Sequence, residues 1–223
     1  LYVGFAANFD WASLQVDPMP IAAPAFDPAT GAAYYSRATA TDGALGIGFQ
    51  AGLIYQATDG LRLGAAYTSP QWFQDFEYNS VYENPMLPNF GTAREITFAM
   101  DVPATYSGGF ALTQGKLLWT ADARFITYSK TAGFDKAGMD QTGAVLGFGW
   151  EDIWVMASGL QFKPTSKLAL RGGYNFTENP IPDAQSAFNV PAPAIVQHHL
   201  TVGFGYTFGD LTVDAGYYHA FNN

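Results

Sequence analysis

Apolar and small or polar residues alternate in segment after segment, and this period of two limits what the chain can fold into. In 43–56, Leu45, Ile47, Phe49, Ala51, Leu53 and Tyr55 share one parity. Gly46, Gly48, Gln50, Gly52 and Gln56 share the other, with Ile54 as the exception. The same rule sets Leu61, Leu63, Ala65 and Tyr67 against Arg62, Gly64, Ala66 and Thr68. It sets Leu117, Trp119, Ala121, Ala123 and Phe125 against Thr120, Asp122 and Arg124. It holds again for Leu168, Leu170, Tyr174 and Phe176 against Lys167, Arg171 and Asn175. Segments 200–208 and 211–218 repeat it, as do Val3, Phe5, Phe9 and Trp11 against Gly4, Asn8 and Asp10. Segment 150–163 alternates less cleanly, and its faces stay unassigned.

These runs divide the chain into nine expected strands: 1–16, 42–57, 60–79, 93–113, 116–130, 150–163, 167–178, 197–208 and 210–221. Pro103 cannot donate a ladder hydrogen bond. Segment 93–113 is nevertheless read as one strand, because the parity of Ile96, Phe98, Met100 and Val102 continues through Tyr106, Phe110 and Leu112. Connections alternate in length. Short Gly/Asp turns sit near 58–60, 113–115, 164–166 and 209–210, and long connections near 17–41, 80–92, 129–149 and 179–196. A short–long rhythm is that of periplasmic turns and extracellular loops in a transmembrane barrel.

Composition separates this reading from its rivals. Charged residues make up 13% of the 223, about half the roughly 25% of soluble domains. A soluble β-sandwich also alternates, and a lipocalin-type barrel needs a charged exterior that this chain cannot supply. No run of 18 or more apolar residues encodes a membrane-spanning helix. The expected fold is therefore all-β, a transmembrane antiparallel up-and-down β-barrel, with 1–223 forming part of a single domain. The apolar parity faces lipid, and Trp11, Trp119, Tyr67, Tyr206 and Tyr217 are candidates for interfacial belts. The other parity faces the lumen. Strands longer than the bilayer requires project as an extracellular collar.

Other classes fall away. The formal charge of −9 repels phosphate backbones, so no nucleic-acid partner is expected. There is no cysteine, hence no disulfide and no thiolate metal site. His198 and His199 point to opposite faces of one strand, and five residues put His219 and Asp214 on opposite faces too. Neither a metal site nor an enzyme is expected, and no cofactor. The opening residues Leu1 to Phe5 lack the charged region of a signal peptide and read as mid-strand, so a mature or truncated chain is expected.

Several stretches resemble the long-chain fatty-acid transporter family (FadL type) of Gram-negative outer membranes. Asp42 to Tyr55 looks like its Gly-aromatic strand with a Leu-Tyr end, and Leu61 to Ser69 like its "RLGLAYRS" strand. Phe98 to Pro103 sits where the family has an apolar run ending in Leu-Pro. Leu168 to Tyr174 followed by Glu178 to Asp183 is similar to its "LRAGY…ESPVPD" segment. The family's Pro-Asp-x-x-Arg segment is not matched by Pro191 to His199. The resemblance implies a 14-stranded barrel of which this chain covers roughly the fifth to thirteenth strands. The N-terminal hatch, early strands and last strand would then lie elsewhere. The odd count of nine agrees, since bacterial single-chain barrels have even numbers and an open edge in lipid is not viable. The remainder of its own longer chain is thus an expected partner, beside outer-membrane lipid and lipopolysaccharide.

The resemblance implies passive uptake of long-chain fatty acids or similar hydrophobic compounds, captured between two extracellular loops. Uptake of aromatic hydrocarbons or alkanes, or a structural or receptor barrel without transport, are the alternatives. By composition the capture residues would be Met19, Ile21, Phe26, Tyr34 and Tyr35 in one loop and Tyr82, Met86, Leu87 and Phe90 in the other, since exposed apolar clusters mark binding surfaces. The same residues could instead pack together and close the barrel top. Arg62, Arg124 and Arg171 on the lumenal parity could meet a carboxylate in transit, or be satisfied by Asp122 and Asp214.

Overall fold

The computed structural model describes residues 1–15, 24–34, 42–139, 145–190 and 196–221. Nine long strands run in sequence order through one antiparallel sheet. They are β1 (Tyr2–Leu14), β2 (Asp42–Gln56), β3 (Leu61–Thr68), β4 (Thr105–Gln114), β5 (Leu117–Ile126), β6 (Ile153–Phe162), β7 (Leu168–Thr177), β8 (His198–Phe208) and β9 (Leu211–Phe221). Each pairs with its sequence neighbours, the up-and-down order that short turns permit. Among the described residues β1 and β9 remain free edges, so this sheet does not close on itself. No helix of the described residues is long and apolar enough to cross a membrane.

The register shows which residues share a face. One row reads Val3, Leu53, Ala65, Gly108, Ala123 and Met156 across β1 to β6. The next row on that face reads Phe5, Ala51, Tyr67, Tyr106, Phe125 and Trp154. This face stays apolar and exposed, with Tyr106 51% and Leu160 51% accessible, as a surface solvated by hydrocarbon requires. Trp11, Tyr67, Trp119, Tyr206 and Tyr217 all belong to it. Register also resolves 150–163. Trp154, Met156, Ser158, Leu160 and Phe162 are apolar-face positions, and Val155, Ala157, Gly159 and Gln161 lie opposite. The blurred alternation comes from Ser158, whose hydroxyl accepts a hydrogen bond from Trp119 Nε1 at 3.0 Å.

Two expected strands are broken. Segment 60–79 leaves the β3 ladder after Thr68, and 93–113 is interrupted between Phe98 and Thr105. The β3–β4 register and the bridge Gln71–Val102 bring Pro70 opposite Pro103. Neither proline has an N–H to offer a neighbouring strand, and the ladder stops there. Ser69 sits opposite Phe49, its N–H donating to Phe49 O at 2.9 Å and its Oγ accepting from Phe49 N at 2.8 Å. Trp72 is then opposite Ile47 and Phe73 opposite Gly46. One extra residue has entered between these pairs, which is a bulge. It turns Gln71 and Phe73 over Gly48 and Gly46, where a β-carbon on either glycine would collide with them.

Beyond the bulge, Phe76–Val81 and Ala93–Phe98 form a separate hairpin. Ile96 and Phe98, expected on the lipid face, are buried instead. They join Ala44, Phe76, Tyr78 and Val145 in the hydrophobic core, with Ala12, Leu14, Phe73 and Met100 packed against it. Ala12, Leu14 and Ala44 carry the lumenal parity, so this core lies over the polar face at the long-loop end. Tyr78 donates a hydrogen bond from its hydroxyl to Leu14 O at 3.1 Å. Burial, with Asp42 nearby, pushes that phenol up to about 12. Segment 116–130 likewise ends as a strand at Ile126 and continues into a 3-10 turn, Tyr128–Lys130.

Phe98→Ala should strip this core of a buried ring at a cost of about 3–5 kcal/mol. Limited proteolysis should then cut within 74–101 much faster than in wild type, while the β4–β9 ladder keeps its amide protection.

Candidate functional site

Small side chains on the polar face leave two hollows. The first, about 860 Å³, runs over β1 to β5 and is bordered by Arg62, Gly64, Ala66, Gly109, Asp122 and Arg124. The second, about 570 Å³, lies over β5 to β9 and is bordered by Gln161, Arg171, Gly173, Thr201 and Asp214. Glycine floors them because residues on this parity point inward, and any side chain would fill the space. All five lumenal charges expected from the sequence fall on this face. The structure divides them, with Arg62, Asp122 and Arg124 in the first hollow and Arg171 and Asp214 in the second.

The charges are engaged with each other or with amides. Arg124 Nε lies 3.1 Å from Asp122 Oδ1, two residues back along β5. Arg171 Nη1 reaches Asp214 Oδ1 at 2.6 Å, from β7 over β8 to β9. Arg171 Nε donates to Gln161 Oε1 at 2.9 Å. Gly205 makes that crossing possible, since a β-carbon there would overlap Asp214 Oδ1. Arg62 Nε donates to Gln56 Oε1 at 2.8 Å, a neutral partner.

The proposed capture residues are spread out. Met19, Ile21 and Tyr35 lie outside the described residues. Phe26 and Tyr34 belong to a small hairpin, Ala25–Phe26 with Ala33–Tyr34, and Phe26 is 57% exposed. Asp27 organises its turn by accepting from Ala29 N and from the Thr30 hydroxyl. Those bonds hold the Asp27 carboxyl below the usual range, Thr30 contributing most. In the second loop Met86 and Phe90 are exposed and Leu87 is half-buried. Tyr82 stacks under the Arg94 guanidinium, 5.3 Å from the ring centroid.

Sequence reasoning missed the aromatic groups that fill the long-loop end. Tyr128, Phe134, Phe148 and Trp150 form a chain of ring contacts, with centroids 4.9 Å apart for Phe134–Trp150 and 5.0 Å for Tyr128–Trp150. Phe188 joins through Phe148. Buried Asn189 ties them down, accepting from Trp150 Nε1 at 2.6 Å and donating to Phe148 O at 2.9 Å. The signal in the sequence is aromatic residues within long connections, Phe134 and Phe148 in 129–149 and Phe188 in 179–196. Beneath the core, Asn8 Nδ2 donates to Gln71 Oε1 at 3.1 Å. Nearby Asp10 keeps one buried oxygen, Oδ2, without a hydrogen-bond partner. The histidines behave as expected of their parity. His198 stacks with Tyr174 and His199 with Tyr218, and the described residues hold no cluster fit for a metal ion.

A family model described as "Outer membrane protein transport protein (OMPP1/FadL/TodX)" matches residues 6–223. The chain belongs to this family. Membership places it in the outer membrane of a Gram-negative bacterium. Among solved structures, the toluene transporter TbuX of Ralstonia pickettii is similar at 21% identity and TM-score 0.59, over 95% of this chain and 56% of that one. The toluene transporter TodX of P. putida is similar at 21% identity and TM-score 0.54, over 96% and 46%. A FadL homologue of Pseudomonas aeruginosa gives 17% identity and TM-score 0.64, over 98% and 54%. These likenesses concern the fold. The chain spans about half the length of these structures. No curated protein sequence matches it.

Two outcomes check this geometry. Gly205→Ala should displace Asp214 and break its ion pair with Arg171, visible as a changed chemical environment of the Arg171 guanidinium by NMR with the sheet intact. Asp27 has a depressed pKa, so its contribution to the 25–34 hairpin is present above the ordinary value near 3.8 and is lost as pH falls through the lower folded value. The protection factor of the Ala29 amide should therefore hold at pH 5 and fall only at pH below the ordinary value of 3.8, whereas Asp27→Asn should weaken protection already at pH 5.

Proposed function

We propose that this chain forms part of the wall and mouth of an outer-membrane channel that passively admits neutral hydrophobic compounds of the aromatic-hydrocarbon kind. The rest of the polypeptide would supply the strands that close the barrel. Internal pairing of the lumenal charges carries the reading. With Arg124 held by Asp122 and Arg171 by Asp214, neither cation is free to greet a carboxylate, while a neutral ring needs none. Of the other side chains whose parity faces this hollow, most are Gly or Ala, with Tyr2 and Ile54 beside them and the uncharged Gln50, Thr68, Ser107 and Thr120. Toluene is the compound named for two of the similar structures, which supports this choice over a fatty acid. Driving force would come from moving apolar surface out of water, on the order of 25 cal/mol per Å². The exposed Phe26, Met86 and Phe90, with Met19, Ile21 and Tyr35, remain proposed first contacts. A transport family makes catalysis no part of the reading.

Fatty-acid uptake is the second reading, favoured by Arg62, whose partner Gln56 leaves its charge uncompensated. The two separate cleanly. Cells expressing the full-length protein in a host without its own transporter should take up labelled toluene faster than empty cells, with labelled oleate unchanged. Arg62→Gln should leave toluene uptake intact, and Ala66→Trp, which fills the first hollow, should reduce it several-fold. Oleate uptake that is lost in Arg62→Gln would reverse the assignment, and no uptake of either would favour a structural or receptor barrel.

A further inference from the structure

The polar groups that border the first hollow are not all alike. Its cations are engaged, Arg62 with Gln56 and Arg124 with Asp122. Two of its hydroxyls bond backbone, Ser107 Oγ donating to Ala66 O at 3.3 Å and Thr120 Oγ1 to Gly159 O at 3.4 Å. Toward the long-loop end, Asn8 Nδ2 donates to Gln71 Oε1, and Gln71 Nε2 donates to Ser69 O at 2.8 Å. Gln50 and Thr68 differ. They face each other directly across β2 and β3, so their β-carbons stand about 5 Å apart. Both border the hollow. Among the described residues, neither side chain has a hydrogen-bond partner.

An amide and a hydroxyl facing an open lumen are solvated. A ligand seated in the hollow removes that solvent, and both groups then need a partner. A bare hydrocarbon offers none. Gln50 carries an acceptor oxygen and two amide hydrogens, and the Thr68 hydroxyl both donates and accepts. A ligand hydroxyl can therefore donate to Gln50 Oε1 and accept from Thr68 Oγ1 at once. A carboxylate can only accept, and it would sit here without a cation. Arg124 is held by Asp122, and Arg62 lies six residues along β3, about 20 Å away. The next inward row is Gly4, Gly52 and Ala66, two residues or about 7 Å nearer the turn end. A β-carbon on Gly52 would meet that of Ala66 at 3.3 Å, so glycine keeps this floor low. A flat ring held by its hydroxyl at Gln50 and Thr68 lies over that row.

We propose that Gln50 and Thr68 are a specificity-determining pair that reads a neutral hydroxyl, so that the first hollow accepts phenols and aryl alcohols beside bare aromatic hydrocarbons. The ring rests on Gly4, Gly52 and Ala66, and the pair replaces the water that the ligand's hydroxyl gives up on entry. This deepens the aromatic-compound reading above and rests on it. Since a hydroxyl is also costly to take out of water, the mark of the pair is how far the variants change the balance between a phenol and its hydrocarbon isostere.

Unlabelled p-cresol and p-xylene, which differ by a hydroxyl for a methyl, are the probes. Each competes with labelled toluene in cells expressing the full-length protein, with uptake by empty cells subtracted. The readout is the ratio of their half-inhibiting concentrations, cresol over xylene. Thr68→Val keeps the shape and removes the hydroxyl, and should raise that ratio about fivefold, the usual contribution of one hydrogen bond. Gln50→Leu should raise it by a similar factor, and Thr68→Ser should leave it at the wild-type value. Each ratio is taken within one variant, so a lower level of folded channel cancels, and heat-modifiable migration on a gel verifies folding. An unchanged ratio in Thr68→Val or in Gln50→Leu, an equal rise in Thr68→Ser, or wild-type inhibition by p-xylene with none by p-cresol would overturn the pair and leave the aromatic reading standing. Absence of channel-dependent toluene uptake would overturn both.

Discussion

Inside hydrocarbon every backbone N–H and C=O must find a partner within the protein, and the rest of this structure answers to that requirement. Strands meet it by pairing with neighbours, which fixes the side-chain period at two and gives the sheet one lipid face and one lumenal face. Lipid takes Leu, Phe, Val and Tyr. The lumen takes whatever leaves room, and here that is Gly, Ala and a few paired charges. The same rule explains why the break in the ladder inside the sheet is patched. Around Pro70 and Pro103 the ladder loses donors, and Ser69 restores two bonds to Phe49 through its own N–H and Oγ.

That patch also shapes the mouth. The bulge at 69–72 reverses the parity of the chain, so Gln71 and Phe73 turn toward the lumenal side, and beyond Phe73 the chain leaves the sheet for the separate hairpin that carries Phe76 and Tyr78. The hydrophobic core is therefore not in the middle of the barrel wall. It sits at the long-loop end, over Ala12, Leu14 and Ala44. A membrane barrel has no need of a core between its strands, because lipid serves on one side. Its buried apolar residues collect where strands give way to water-exposed loops, which must hold themselves together.

Charge follows the same economy of space. Arg171 and Asp214 meet across β8 because Gly205 carries no side chain, and Arg124 turns back to Asp122 on its own strand. Each pairing removes an isolated charge from a wall that borders low dielectric, where it would be costly. The by-product is a lumen whose cations are mostly committed, and this bears on which molecules it can welcome.

The alternation of 45–55, 61–67, 117–125, 200–208 and 211–217 made the strands, their order and their two faces legible, because period two survives in any half-buried strand. Arg62, Asp122, Arg124, Arg171 and Asp214 could be placed on one face for the same reason. Local pattern could not show the break at Pro70 and Pro103, since each proline alone is tolerable and only the register sets them opposite one another. Nor could it show that Ile96 and Phe98 leave the lipid face, because parity carries no record of a bulge elsewhere. The Arg171–Asp214 pair and the aromatic cluster around Trp150 and Asn189 arise from residues far apart in the chain. Sequence by itself determined a two-faced sheet; the tertiary structure decided where that sheet is interrupted, which charges meet, and where space is left, because those depend on cross-strand register.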